Sequence, residues 1–491
     1  MTAYDALMSH DRQTRALGQI SGRLSWDQET MMPSGAVDQR AEEQGAMEAV
    51  LHARRTDPQV GGWLDAAEPE TDVAAASIRE IRRGFERASK VPAELATALA
   101  RLTSKSQGIW AEARRANDVA AFLPVLEEVV ALKREEAQAV AGNSVNSPYD
   151  ALIEDYEVGI TGAELQTMFD GMRPGLVALR ERALAGQAGP AISGSFACDV
   201  QMSLANEVAE RFGYDKTRGR LDLAVHPFSS GSGDDVRITT RICEDDPFNC
   251  LYSTIHETGH ACYEQRIDPA YRLTPLGHGV SMGVHESQSR IYENQLGRGR
   301  AFCGWLFGAM TDRFGDIGVA DADAFYAAVN RVHRGYIRTE ADEVQYNLHI
   351  MLRFDLERAL VGGDLTVKDL EAAWNDRFEA DFGYAVDKPS NGLLQDVHWS
   401  VGLFGYFPTY SLGNVYAGCL YKALTSQVSG LDAALAQGDP SPATTWLQTN
   451  LQTHGGLRLP KDTITHACGE EPTSAPLMAY LEEKFTALYP D

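Results

Sequence analysis

The chain has 491 residues, 44% of them apolar and 23% charged, which is enough for a large buried core in one big helical body or in several domains. Its 44 Lys and Arg stand against 69 Asp and Glu, and the resulting net charge of -25 argues against nucleic acid and anionic membranes as partners. No apolar run approaches the roughly 18 residues of a membrane span. The first twenty residues lack a basic stretch followed by an apolar one, so no secretory signal is expected. The seven cysteines are scattered and form no CxxC pair, which disfavours a disulfide framework and a cysteine-rich zinc site. A cytoplasmic location is the resulting expectation.

The first 180 or so residues read as almost wholly helical, being rich in Ala, Glu, Arg and Leu. Val91-Pro92 opens one helix, with Leu95, Leu99 and Leu102 along one side, and Phe122 to Ala141 form another amphipathic segment. Gly186 to Ser195 is a loop of Gly, Ser and Pro and marks either the best candidate boundary or a connection within one domain. Beyond it, Arg220 to Val225 and Asp235 to Ile242 alternate in polarity. With Ser229 to Asp234 as a flexible tip, they predict a β-hairpin or a small sheet edge. From Asn249 onward the pattern returns to long helices. The predicted fold class is therefore mostly α with a small β element.

Phe248 to Arg266 carries apolar or small residues at helical spacing, which predicts a helix with one buried face. Within it lies His256-Glu257-Thr258-Gly259-His260. Two histidines four apart sit one turn above each other, so both imidazoles can share one zinc ion, and Glu257 can act as general base on a water. Chance alone would supply an HExxH roughly 0.02 times in such a chain, so the match inside a periodic helix carries weight. A catalytic site needs a third protein ligand. Glu264 lies about 12 Å along the axis from His256 and converges poorly with it. Glu286, in Gly283 to Arg290, completes a His-His-Glu set better. His285 beside it stays open, with Asp245, Asp246 and Glu293 as weaker candidates.

These segments resemble the carboxypeptidase Taq family of thermostable metallocarboxypeptidases. The resemblance rests on His226-Pro227-Phe228, Asp235 to Thr239, His256 to His260, His285 to Gln288, Ile337 to Asp342, Gly392 to Trp399, Gly405 to Tyr410 and Leu24 to Pro33, found in order. It implies a two-lobed helical body with a deep groove, one metallocarboxypeptidase domain over residues 1–491, with a helical part up to about 185 and a zinc-site part from about 196. It also implies release of single residues from peptide C-termini, a homodimer, and one Zn2+ per subunit that Co2+ can replace. By the same resemblance His256, His260 and Glu286 hold the metal and Glu257 is the catalytic carboxylate.

A terminal carboxylate suits the planar fork of an arginine, with Arg338 the first candidate and Arg237 the second. Glu340 and Asp342 are expected to orient Arg338. His226, His398, Tyr406 and Tyr410 are candidates for contacts to the substrate backbone or oxyanion, Tyr410 ahead of Tyr406. Asp396 is expected to orient His398 or a ligand. Trp26, Trp399, Met31 and Met32 read as core. Two competing readings are an endo-acting zinc oligopeptidase and a non-catalytic peptide binder with a structural zinc.

Overall fold

The computed structural model describes residues 2–142 and 147–490. The chain is mostly helical, as its composition predicts, with one three-stranded sheet. Among the described residues no helix is long and apolar enough to cross a membrane.

The N-terminal helix, Ala3–Thr30, starts at a capping box in which Thr2 and Asp5 satisfy each other's backbone N–H groups. Only Leu7 and Trp26 along it are buried. Leu7 packs with Val60, Leu64 and Ile81 into a small apolar cluster of its own. A far larger cluster runs from Ala113 to Tyr489 and fills the rest of the molecule. Between the N-terminal helices and that body lies a cleft of about 490 Å³, lined by Thr14, Trp26, Glu80, Arg237, Glu264 and His278 among others.

The predicted helices at 91 and 122 are present as Ala93–Ala116 and Val119–Ala141. The Gly- and Pro-rich segment after residue 186 is a loop, but it does not separate two cores. Leu179 and Ala183 before it and Phe196 and Leu204 after it belong to the same buried cluster. Ser193 N–H also ties the loop to Ile317 O at 2.9 Å.

Of the two forms expected for the β element, a hairpin or a small sheet, the structure has the small sheet. Its strands are β1 (Leu221–Leu223), β2 (Ser229–Ser232) and β3 (Asp235–Thr240), in the order β1-β3-β2. β1 runs parallel to β3, and β2 pairs with β3 antiparallel. The serines assigned to a flexible tip are thus a strand, held by backbone pairing that side-chain propensity does not report. The true tip is Gly233-Asp234, with Gly233 at φ +66°. The two motifs here clasp each other: Phe228 N–H donates to Thr239 Oγ1 at 2.8 Å, and Thr239 N–H donates to Phe228 O at 2.9 Å.

Met31 is half exposed, against expectation, while Trp26 and Trp399 are buried. Trp26 is covered by cations rather than by apolar groups, with the Arg237 guanidinium 4.4 Å from its ring centre and Arg220 at 5.2 Å.

Candidate active site

The HExxH helix spans Pro247–Arg266. Asp246 caps it, accepting from Phe248 and Asn249 N–H, and Pro247 occupies the first position. It is buried on nearly every side, not on one face as its periodicity suggested, because it runs through the middle of the body. Ser253, His256 and His260 are among its few half-open positions. They fall on one stripe, which is the stripe the chemistry needs.

The segment that carries Glu286 is the helix Met282–Arg290, capped by Ser281 and continued by a π-helical turn, Ile291–Gly297. Two glycines bring it into place. A Cβ on Gly259 would lie 2.4 Å from Gln288 O, and a Cβ on Gly413 would lie 2.5 Å from Glu286 Cγ. Gly413 belongs to the helix Pro408–Gln427. Glu286 therefore reaches the histidines because both flanking helices lack a side chain at the crossing.

His256, His260 and Glu286 offer ligand atoms that all lie within 4.8 Å of one another. Glu286 Oε2 is 3.6 Å from His256 Nε2 and 3.4 Å from His260 Nε2. Its other oxygen, Oε1, accepts from Arg290 Nε at 2.7 Å. Burial disfavours charge on Glu286, but Arg290 and His256 outweigh it and keep the carboxyl ionised, well below the usual range. Burial drives His260 down to about 3, so it stays a neutral imidazole with a lone pair to give. For His256, burial is outweighed by the Glu286 and Glu293 carboxylates, which raise its pKa. Two nitrogens and one carboxylate oxygen converging from two helices fit a metal with an open coordination position.

The weaker ligand candidates have other places. Glu293, on the π-helical turn, takes His256 Nδ1 at 2.9 Å, on the side of the ring away from the cluster. His285 meets His260 Nδ1 at 2.6 Å, and Glu264 meets His285 Nε2 at 3.0 Å. Asp245 and Asp246 are exposed, Asp246 as the helix cap. Glu257 is 7% exposed and forms no hydrogen bond to another side chain among the described residues, and burial raises its carboxyl to about 7.

Beside this cluster lies a second one. Arg338 donates to Asp396 Oδ1 from Nε at 3.1 Å and from Nη2 at 2.9 Å. The fully buried Arg353 donates from Nε to Asp396 Oδ2 at 2.7 Å. Two guanidinium groups on one carboxylate leave a net positive charge, and both hold Asp396 ionised against the cost of its burial. This corrects the expectation for Arg338: its partner is Asp396, not Glu340, which is exposed, or Asp342, which caps the helix Glu343–Gly362. Asp396 likewise serves the arginines rather than a ligand, and His398 Nδ1 stands 3.8 Å from it.

Tyr346 joins the two clusters. Its ring lies 4.1 Å from the Arg290 guanidinium, and its hydroxyl accepts from Arg338 Nη1 at 3.3 Å. Tyr410 stacks under Arg338 at 4.9 Å and meets His398 Nε2 at 3.3 Å. Tyr406 packs against Tyr410, with ring centres 5.3 Å apart. Burial lowers His398 to about 4, so it is neutral. Trp399 donates to the buried Glu357 at 2.8 Å.

Two residues named from sequence lie apart from this assembly. Arg237 faces the large cleft, doubly bonded to Asp235 at 2.8 and 3.0 Å. His226 is exposed on the β1–β2 connection. The sequence reading missed Arg290, Tyr346 and Arg353. Arg290 had a signal, since it stands four residues after Glu286 on one helix.

A family model described as carboxypeptidase Taq (M32) metallopeptidase matches residues 6–485. The chain belongs to the carboxypeptidase Taq (M32) family. It is 39% identical to thermostable carboxypeptidase 1 of Thermus thermophilus, over 99% of both chains. It is 33% identical to carboxypeptidase 1 of Bacillus subtilis, over 95% of this chain and 94% of that one. Among solved structures, it resembles the M32 carboxypeptidase of Deinococcus radiodurans R1 with a TM-score of 0.95, 38% identity and full coverage of both chains. It resembles Trypanosoma cruzi metallocarboxypeptidase 1 with a TM-score of 0.96 and 33% identity, over 100% and 99% of the two chains. The expected family and the mostly helical fold class are borne out, and the M32 chain is a metallocarboxypeptidase, a peptide hydrolase.

Proposed function

We propose that this M32 chain removes single residues from the free C-terminus of peptides with one zinc ion per chain, held by His256, His260 and Glu286 and replaceable by cobalt. The observation that carries the reading is the convergence of those three donors with Glu257 next to them on the same helix. The donor set, two imidazoles and a carboxylate with no cysteine, is that of a catalytic rather than a structural zinc site. An ion held there supplies Lewis acidity, polarising the scissile carbonyl and making a water easier to deprotonate.

The chain's own groups do the rest. Glu257 takes the proton of the attacking water and returns it to the leaving amine. Among the described residues its side chain has no side-chain hydrogen-bond partner, which leaves it available for that transfer. Arg338 attracts the terminal carboxylate through the charge left over on the Arg338–Asp396–Arg353 cluster, and so sets the register in which only the last peptide bond meets Glu257. Tyr410, positioned by His398 and by the face of Arg338, donates to the oxygen that gains negative charge. Tyr406 packs beside it.

Paired peptides that differ only in a free or amidated C-terminus test the reading, with metal content measured on the same preparation. A ladder of one-residue losses from the free acid, with the amide resistant, is expected. Equal cleavage of both peptides, or internal cuts, would favour an endo-acting enzyme and overturn it.

A further inference from the structure

Glu264, too far along the helix to be a ligand, turns out to end a chain of hydrogen bonds that begins at one. Its Oε1 accepts from Gly279 N–H at 2.8 Å and meets His285 Nε2 at 3.0 Å. On its other side, His285 Nδ1 meets His260 Nδ1 at 2.6 Å. The His285 ring sits in a fitted slot. A Cβ on Gly279 would lie 2.6 Å from His285 Cδ2, and the Tyr263 ring centre is 5.2 Å away. Tyr263 in turn accepts from Val280 N–H at 3.2 Å, pinning the same loop.

The direction of one bond is set by the carboxylate, and that of the other follows for an uncharged His285. A carboxylate only accepts, so His285 Nε2 carries the proton that faces Glu264. A neutral His285 then has only a lone pair at Nδ1, so the proton between the two rings belongs to His260 Nδ1. His260 is thereby left with its lone pair on Nε2, the atom that faces Glu286. A free histidine side chain in water prefers the opposite tautomer, so something must hold His260 in this one.

We propose that Glu264 and His285 are positioning residues that lock His260 in its Nδ1–H tautomer and so preorganise Nε2 for the metal. His256 reaches the same end by a shorter route, through Glu293 alone. The inference rests on the reading of His256, His260 and Glu286 as ligands. Partners of this kind fix ring orientation and raise ligand basicity, and their loss typically costs about 10–100-fold in metal affinity.

The test uses the full chain. Zinc dissociation constants are measured by chelator competition for the parent, His285→Ala, Glu264→Gln and the double variant. Glu264→Gln keeps the shape of the side chain, so it separates the relay from a folding defect. The His260 tautomer is read by nitrogen NMR on metal-free, histidine-labelled protein. Zinc binding is expected to weaken roughly tenfold in Glu264→Gln and about 10–100-fold in His285→Ala. The double variant should bind about as His285→Ala does, because one break already interrupts the chain. His260 should be the Nδ1–H form in the parent and the Nε2–H form in His285→Ala. Affinities within twofold of the parent, additive losses or an unchanged tautomer would overturn the proposal. Full zinc affinity in His260→Ala would instead remove the ligand assignment beneath it.

Discussion

Gly413 presses on Glu286 so closely that a methyl group at residue 413 would fall 2.5 Å from Glu286 Cγ and 2.6 Å from its Cβ. Neither helix has slack there, since Glu286 is buried and tied to Arg290. Gly413→Ala should push Glu286 out of reach of the histidines, at an overpacking cost of about 1–3 kcal/mol. The expected outcome is a loss of metal content by elemental analysis with the circular dichroism spectrum preserved. A variant that keeps full metal occupancy would show that the crossing tolerates a side chain.

Glu257→Gln separates holding the metal from using it. The amide keeps the size of the side chain but cannot take a proton. Metal content should equal the parent's while kcat falls by roughly 10²–10⁴. Substantial activity at full metal content would place the proton transfer elsewhere.

Arg338→Lys keeps a positive charge but loses the planar fork that spans Asp396 Oδ1 and Tyr346. Hydrogen bonds to charged groups contribute about 1.5–3 kcal/mol each, so kcat/KM on free-acid peptides should fall roughly 10–100-fold, mainly through KM. If KM is unchanged, the terminal carboxylate is read by another group, with Arg237 the next to test.

Tyr410→Phe and Tyr406→Phe divide the oxyanion role. Loss of one preorganised donor costs roughly 10²–10³ in kcat. That loss is expected for Tyr410, with less than about a tenfold effect for Tyr406. Initial rates at saturating peptide decide it, and a reversed order would move the role to Tyr406.

Glu157 gives the fold a pH dependence at the start of the helix that carries Glu286. It accepts from Gly283 N–H at 2.9 Å and from Tyr416 Oη at 3.1 Å, at the start of the Glu286 helix. Burial pushes its carboxyl from an ordinary 4.5 to about 7. Between those values the folded chain keeps a proton that the unfolded chain releases. Its contribution to stability is therefore complete below about 4.5 and is lost as pH rises through about 7. Tyr416 and Tyr263 nearby are raised by burial and stay neutral in this range. The Tm of the parent relative to Glu157→Gln should fall between pH 5 and pH 8. A constant difference would mean that Glu157 does not titrate there.

The clustering of His256, His260 and Glu286 was legible because one helix dictates the relation of His256 to His260, and because geometry along that helix disfavours Glu264. Arg290 was legible in principle from its four-residue spacing to Glu286. The pairing of Arg338 with Asp396 was not, since 58 residues separate them and no local rule links them. Nearer neighbours, Glu340 and Asp342, looked better for that reason alone. Ser229 to Ser232 escaped as a strand because its residues pair by backbone and carry no β-forming side chains. The burial of the HExxH helix exceeds what its apolar periodicity indicates because the polar Glu257, Thr258 and Glu264 also line an interior in the fold.

The small cluster around Leu7, Val60, Leu64 and Ile81 has a kinetic meaning as well as a structural one. The N-terminal helix meets the body partly through polar links at its rim, such as Gln19 to Ser232 at 2.7 Å and Arg23 to Asp235 at 2.8 Å. Such links contribute little next to a continuous apolar core. Amide protons of Ala3–Thr30 should therefore exchange with solvent well before those of Pro247–Arg266, the two segments acting as separate cooperative units. One wall of the cleft can loosen while His256, His260 and Glu286 stay locked.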